Sequence, residues 1–96
     1  MSTIEHSKDG DHRGAFVRTK DGKRIAEMTY SMAGTGKAMI DHTWVSEELR
    51  GQGVARQLLD AAVAWARKDQ LKIIPVCPYA KAEFDKDPSI GDVLSK

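Results

Sequence analysis

A single cysteine, Cys77, stands among 96 residues, which excludes an internal disulfide framework and any metal motif built on paired cysteines. A cytoplasmic setting is expected from that usage. No apolar run approaches the length of a membrane span, and residues 1–14 are polar and mixed in charge, without the apolar core of a signal peptide. An excess of either charge is missing too: 15 Lys and Arg against 14 Asp and Glu leave a formal net charge of +1. Such a balance generates no strong global field, so neither nucleic acid nor a membrane surface is an expected partner, and any anion site must be local. Repeats and low-complexity segments are absent as well.

What is present suits one soluble domain. With 41% hydrophobic and 30% charged residues, a chain this short buries only roughly two thirds of its extended surface, and a second domain would lack a core. Residues 1–13 read as a flexible arm in which His6 and His12 are isolated and solvated, because metal sites need several converging groups. No metal is expected. Residues 14–96 read as the folded domain.

Ala15 to Lys20 is a strand candidate that runs into Asp21-Gly22, a dipeptide suited to a tight hairpin turn. In Arg24 to Met32 apolar and polar residues alternate with the period of a half-buried strand, which Gly34-Thr35-Gly36 breaks. Lys37 to Val45 is a third strand, with Ile40, His42 and Trp44 on one face and Met39, Asp41, Thr43 and Val45 on the other. Together these make an antiparallel meander. After Gly53 the period changes: Val54, Leu58, Ala61, Ala62 and Trp65 recur at the spacing of an amphipathic helix. Lys72 to Cys77 reads as a buried strand, so strand, helix and strand form one parallel crossover. Tyr79 to Asp85 reads as a short helix, and Ile90, Val93 and Leu94 are expected to cap the core. Trp44 and Trp65 fall at the apolar period of their own elements and are expected inside. The lysines at 81, 86 and 96 read as a solvated face. The fold class is α+β (mixed α/β).

The chemistry is concentrated in Arg50-Gly51-Gln52-Gly53-Val54-Ala55, between the third strand and the long helix. A turn that opens a helix presents backbone N–H groups without intrahelical partners, and the helix dipole adds partial positive charge there. Glycines at 51 and 53 let the main chain approach a bulky phosphate, Ala55 keeps the first turn narrow, and Arg50 supplies a full charge. A pyrophosphate fits better than a single carboxylate. The alternative is that both glycines merely shape a tight link. The turn lacks the lysine followed by serine or threonine of nucleoside triphosphate loops, and it lacks the glycine spacing of the dinucleotide fingerprint.

Arg50-x-x-Gly53-x-Ala55 resembles the Q/R-x-x-G-x-G/A signature of the GNAT acetyltransferase superfamily. The stretch from His42 to Ala55, with Val76-Cys77-Pro78-Tyr79, resembles the short YjdJ-type branch, and the similarity runs from about Ala15 to the C-terminus. The resemblance implies a single domain in which the meander leads into the crossover, two parallel strands, Ile40 to Val45 and Ile73 to Cys77, splay apart, and acetyl-CoA enters between them. Its pantetheine arm would pair with backbone at Thr43, Trp44 and Val45, and its pyrophosphate would sit on Arg50, Gly51, Gln52, Gly53, Val54 and Ala55. The implied activity is N-acetyl transfer to an amine, small or a protein lysine, by a monomer or weak dimer. The two helices that usually follow the first strand in this superfamily are missing, which leaves the acceptor side open and keeps a non-catalytic acyl-CoA-binding or sensing module as the alternative.

Acetyl transfer to an amine needs a neutral nucleophile, stabilisation of an oxyanion, and a proton for the departing thiolate. His42 is a candidate base, since imidazole exchanges protons near neutral pH, or else a core histidine bonded to backbone. Cys77 is a candidate acyl-accepting nucleophile or an inert packing residue; the resemblance implies that the cysteine and histidine form the active pair. Direct attack by the amine on a bound thioester stays open. Tyr79 is a candidate acid for the coenzyme thiolate, the role a tyrosine plays in many GNAT enzymes, or an amphipathic rim residue.

Overall fold

The computed structural model describes residues 4–95. Alternating strands and one long amphipathic segment fold as β1 (Glu5–Asp9), β2 (Arg13–Lys20), β3 (Lys23–Met32), β4 (Lys37–Val45), α1 (Val54–Asp69), β5 (Lys72–Pro75) and α2 (Pro78–Lys86). Short 3-10 turns follow β4 at Glu47–Leu49 and close the chain at Pro88–Val93. One five-stranded sheet runs in the order β1-β2-β3-β4-β5. Its first four strands are antiparallel, and β5 lies parallel to β4. This is the expected meander leading into a strand–helix–strand crossover.

The period-2 pattern selects one face for burial. Phe16, Ala26, Met28, Tyr30, Ala38, Ile40 and Ile73 join Val54, Leu58, Leu59, Ala62 and Val63 of α1, and Ala80 and Phe84 of α2, in one core. Ile90 and Val93 of the final turn complete it, as the sequence pattern suggests. Leu94 adds a parallel bridge to Ile73 at the edge of β5. Helices therefore share a core with a single sheet face, and the opposite face carries Glu27, Thr29, His42 and Trp44.

Two expectations change here. The arm at residues 1–13 is, in its described part, a strand: Glu5 to Asp9 pair with Val17 to Arg13, while residues 1–3 lie outside the described residues. His6 is half-buried and not solvated. Its ring stacks on Phe16 at 4.4 Å, meets Trp65 edge-on at 5.0 Å, and its Nε2 lies 2.5 Å from the Tyr30 hydroxyl. Tyr30 reaches it by lying over Gly14, where any Cβ would stand 2.4 Å from the phenol oxygen. His12 is exposed, as expected.

The second change is in β4. Thr29 pairs with His42 but Tyr30 pairs with Ile40, so Asp41 is an extra, bulged residue. One inserted residue reverses every later side chain. Thr43 and Val45 therefore join Met28 and Ala26 on the core face, and His42 and Trp44 turn to the open face. Trp44 is 39% exposed rather than in the core, whereas Trp65 packs in the aromatic cluster.

Candidate active site

The mouth of α1 is shaped by glycine. Gly51 and Gly53 have φ of 83° and 75°, a left-handed conformation that glycine adopts without steric cost. Gly53 is the N-cap and has no side chain to fold back onto the first turn; its carbonyl accepts the first helical bond, from Gln57 at 3.1 Å. The first-turn amides therefore stay without an intrahelical acceptor. A Cβ at either glycine would meet open space. Arg50 is exposed beside them, and Gln52 folds onto the turn, donating to the Glu48 carbonyl at 3.2 Å.

A cleft of ≈ 380 Å³ opens from this mouth, lined by Val45, Arg50, Gly53, Ala55, Tyr79 and Lys86 among others. Its far wall is a charge network that ties α1 to α2. Arg56 donates to Asp60 at 2.8 Å, Asp87 at 2.5 Å and Glu83 at 3.4 Å. The buried Glu83 also accepts from the Tyr79 hydroxyl at 3.1 Å and pairs with Lys86 at 2.7 Å. Lys86 and Lys81 are both exposed, as expected, although the Lys86 ammonium also pairs with Glu83; Lys96 lies outside the described residues.

These contacts fix charge states. Lys86, then Tyr79 and Arg56, hold the Glu83 carboxyl below its usual value against the effect of burial. Ser89 and Arg56 pull Asp87 down to about 2. Burial, and then the Glu83 carboxylate, push the Tyr79 phenol well above its ordinary value. Sequence spacing gives the Arg56–Asp60 and Glu83–Lys86 pairs as neighbours on single helices. Nothing in that spacing signals the bond between helices, so the sequence does not single out Arg56 and Glu83.

Strands β4 and β5 pair from Lys37 opposite Lys72 to Ile40 opposite Pro75 and then part. The last backbone hydrogen bonds across the gap run from the Val76 and Cys77 amides to the Ile40 carbonyl, at 3.1 and 2.9 Å. Beyond them, residues 41–45 have β3 as their only ladder partner. Cys77 therefore does not end a strand; it is the N-cap of α2, with Pro78 following in the first turn. Cys77 is 5% exposed, and its sulfur lies 3.3 Å from Thr43 Oγ1. Burial pushes the thiol up, but the Thr43 hydroxyl and the amides of Ala80, Tyr79 and Thr43 pull it below its ordinary value.

The structure thus gathers Val45, Arg50, Gly51, Gly53, Val54, Ala55 and Tyr79 around one cleft, and joins Thr43 to Cys77. It separates His42 from Cys77, because the bulge sends His42 to the other sheet face. No group of three or more His, Cys, Asp or Glu able to hold a metal occurs among the described residues, and no helix among them is long and apolar enough to cross a membrane.

Comparison with known proteins agrees with this geometry. A GCN5-like protein from Staphylococcus aureus, known from its NMR solution structure, is 40% identical and superposes with a TM-score of 0.72 over 99% of this chain and 91% of its own. Protein NATD1 of Xenopus tropicalis is 28% identical over 87 residues, 91% of this chain and 80% of that protein. A GNAT family acetyltransferase from Elizabethkingia anophelis, with acetyl-CoA bound, shares the fold at 14% identity, with a TM-score of 0.64 over 77% of this chain and 63% of its own. The family model described as GCN5-related N-acetyl-transferase matches residues 15–93, and the chain belongs to that family.

Proposed function

We propose that the chain is an acetyl-CoA-dependent N-acetyltransferase that passes the acetyl group through Cys77 to an amine. The observation that carries this reading is the uncapped, glycine-opened mouth of α1 lying beside the point where β4 and β5 part. The residues fit the coenzyme on their own terms: free amides and Arg50 suit a diphosphate, the unladdered edge at Thr43 to Val45 suits an amide-bearing chain, and Cys77 lies next to that edge.

In this reading the Cys77 thiolate attacks the thioester carbon, forming a new carbon–sulfur bond as the coenzyme sulfur leaves with the electron pair and takes a proton. A neutral amine then attacks acetyl-Cys77, and the cysteine sulfur departs as thiolate. The proton released by the incoming amine passes to solvent, since His42 lies on the opposite sheet face from Cys77. Tyr79 lines the same cleft with its proton donated to Glu83, and is the candidate acid for the departing coenzyme.

Intact-mass analysis after mixing with acetyl-CoA tests the route. The expected result is one acetyl adduct, absent in Cys77→Ala and discharged by an amine. Transfer to amines without an adduct would mean direct attack. Calorimetric binding without transfer to any amine would make the chain a coenzyme-binding module, and no heat at millimolar acetyl-CoA would remove both readings. Arg50→Ala should weaken binding roughly tenfold, the scale of one charge-assisted contact.

A further inference from the structure

We propose that Thr43, and not His42, is the positioning residue for Cys77: its hydroxyl, with the amides at the start of α2, holds the sulfur for attack. The inference rests on the two-step reading above and assigns the partner within it.

The geometry follows from the bulge at Asp41. Had β4 kept strict alternation, His42 would share the core face with Ile40, and Thr43 would face away. The extra residue exchanges them: Thr43, opposite Met28, points to the helices, and His42, opposite Thr29, points away. The Cys77 thiol then finds Thr43 Oγ1 at 3.3 Å.

A hydroxyl can serve either state of the sulfur. It accepts from the thiol and, by rotating, donates to the thiolate. The nine-residue α2 adds its first-turn amides, and Pro78, lacking an N–H, leaves Tyr79 and Ala80 as the donors. The strongest influences on the sulfur are neutral ones: burial, the Thr43 hydroxyl and the amides of Ala80, Tyr79 and Thr43. Of the nearby titratable groups, Tyr79 on α2 is bonded to Glu83, and Asp41 and His42 on β4 are exposed; β5 contributes none between Ile73 and Pro75. A thiolate prepared this way needs no histidine to take its proton, which goes to solvent before the coenzyme binds.

The test is the ionisation of Cys77 in the coenzyme-free protein, followed by thiolate absorbance near 240 nm with the Cys77→Ser curve subtracted. Wild-type protein should titrate below free cysteine. Thr43→Val should raise the midpoint, leaving roughly tenfold less thiolate at neutral pH, the factor carried by one hydrogen bond to a charged group. Thr43→Ser should restore the wild-type curve, which separates the hydroxyl from packing, and His42→Gln should titrate as wild type. A raised midpoint in His42→Gln, or an unchanged one in Thr43→Val with circular dichroism intact, would overturn the assignment. Because no coenzyme is present, the outcome is independent of the acetyl-adduct experiment: an adduct with an unmoved midpoint rejects only Thr43, and a moved midpoint without an adduct rejects only the two-step route.

Discussion

Residues 37–40 of β4 lie between two strands, whereas residues 41–45 lie beside one. In the first stretch Ala38 and Ile40 are fully buried, and the ladder on both sides occupies the backbone groups. In the second, the strand keeps a free edge, its side chains have changed faces, and the candidate coenzyme cleft, Thr43 and Cys77 gather around it. In the proposed reading the same strand serves packing before Asp41 and chemistry after it. What separates the two is a single inserted residue that reverses the side chains just where β5 turns away.

The sharpest way to break this comparison is to truncate one side chain on each side of the bulge. Ile40→Ala removes a fully buried side chain from the paired half and should cost about 2–5 kcal/mol, read as a lower urea midpoint at unchanged slope. Trp44→Ala removes a larger side chain from the open half, where it is 39% exposed, and should cost less than about 1 kcal/mol. Equal losses would mean that the open half is packed as firmly as the closed one.

How much of this was legible depends on whether the signal was periodic. The period of 2 locates β3 and the period of 3.6 locates α1, because each buries one continuous face, whereas β2 is marked by a short apolar run ahead of Asp21-Gly22. Strand β1 was missed because Glu5-His6-Ser7-Lys8-Asp9 has no apolar alternation; it is an edge strand held by pairing with β2 and by the His6 contacts. The bulge was invisible for a different reason. Asp41 opens a polar triplet with His42 and Thr43 and has no glycine beside it to mark a bulge, so the sequence locates the strand but not the faces of its last residues. The helix mouth was fully readable, since Gly51 and Gly53 are needed there for backbone conformation and the signal is local. The Cys77–Thr43 contact depends on where β5 ends, and no local pattern encodes that.

A middle-sized effect sharpens the contrast at Gly53. Its Cβ would have space, so Gly53→Ala should act through backbone conformation and not through a clash, costing roughly 1–2 kcal/mol for a side chain held in the left-handed region. The methyl group would also stand at the mouth of α1, and acetyl-CoA affinity measured by calorimetry should fall. Loss of stability with full affinity would show that the diphosphate does not approach this turn.

The smallest effect lies at the opposite edge of the sheet, where His6 is enclosed while His42 faces solvent. Burial among Phe16, Tyr30 and Trp65, and secondarily Lys8, lowers the His6 pKa from its ordinary 6.5, with Asp69 acting against them. A histidine that resists protonation when folded binds more protons once unfolded, so stability rises with pH between its folded pKa and 6.5. The contribution is complete above the ordinary value and is lost as pH falls through the folded one. The bond to Tyr30 is not what acid removes, since the phenol oxygen can accept from a protonated ring as readily as the hydroxyl donates to a neutral one. The cost lies in withdrawing the charged ring from water, with Lys8 adding to it. Melting curves between pH 5 and pH 7.5 should therefore show a midpoint that drops on acidification in wild-type protein and in His42→Gln, and drops less in His6→Gln. If His42→Gln flattened the curve and His6→Gln did not, the enclosed and exposed histidines would have exchanged the roles that their surroundings assign them.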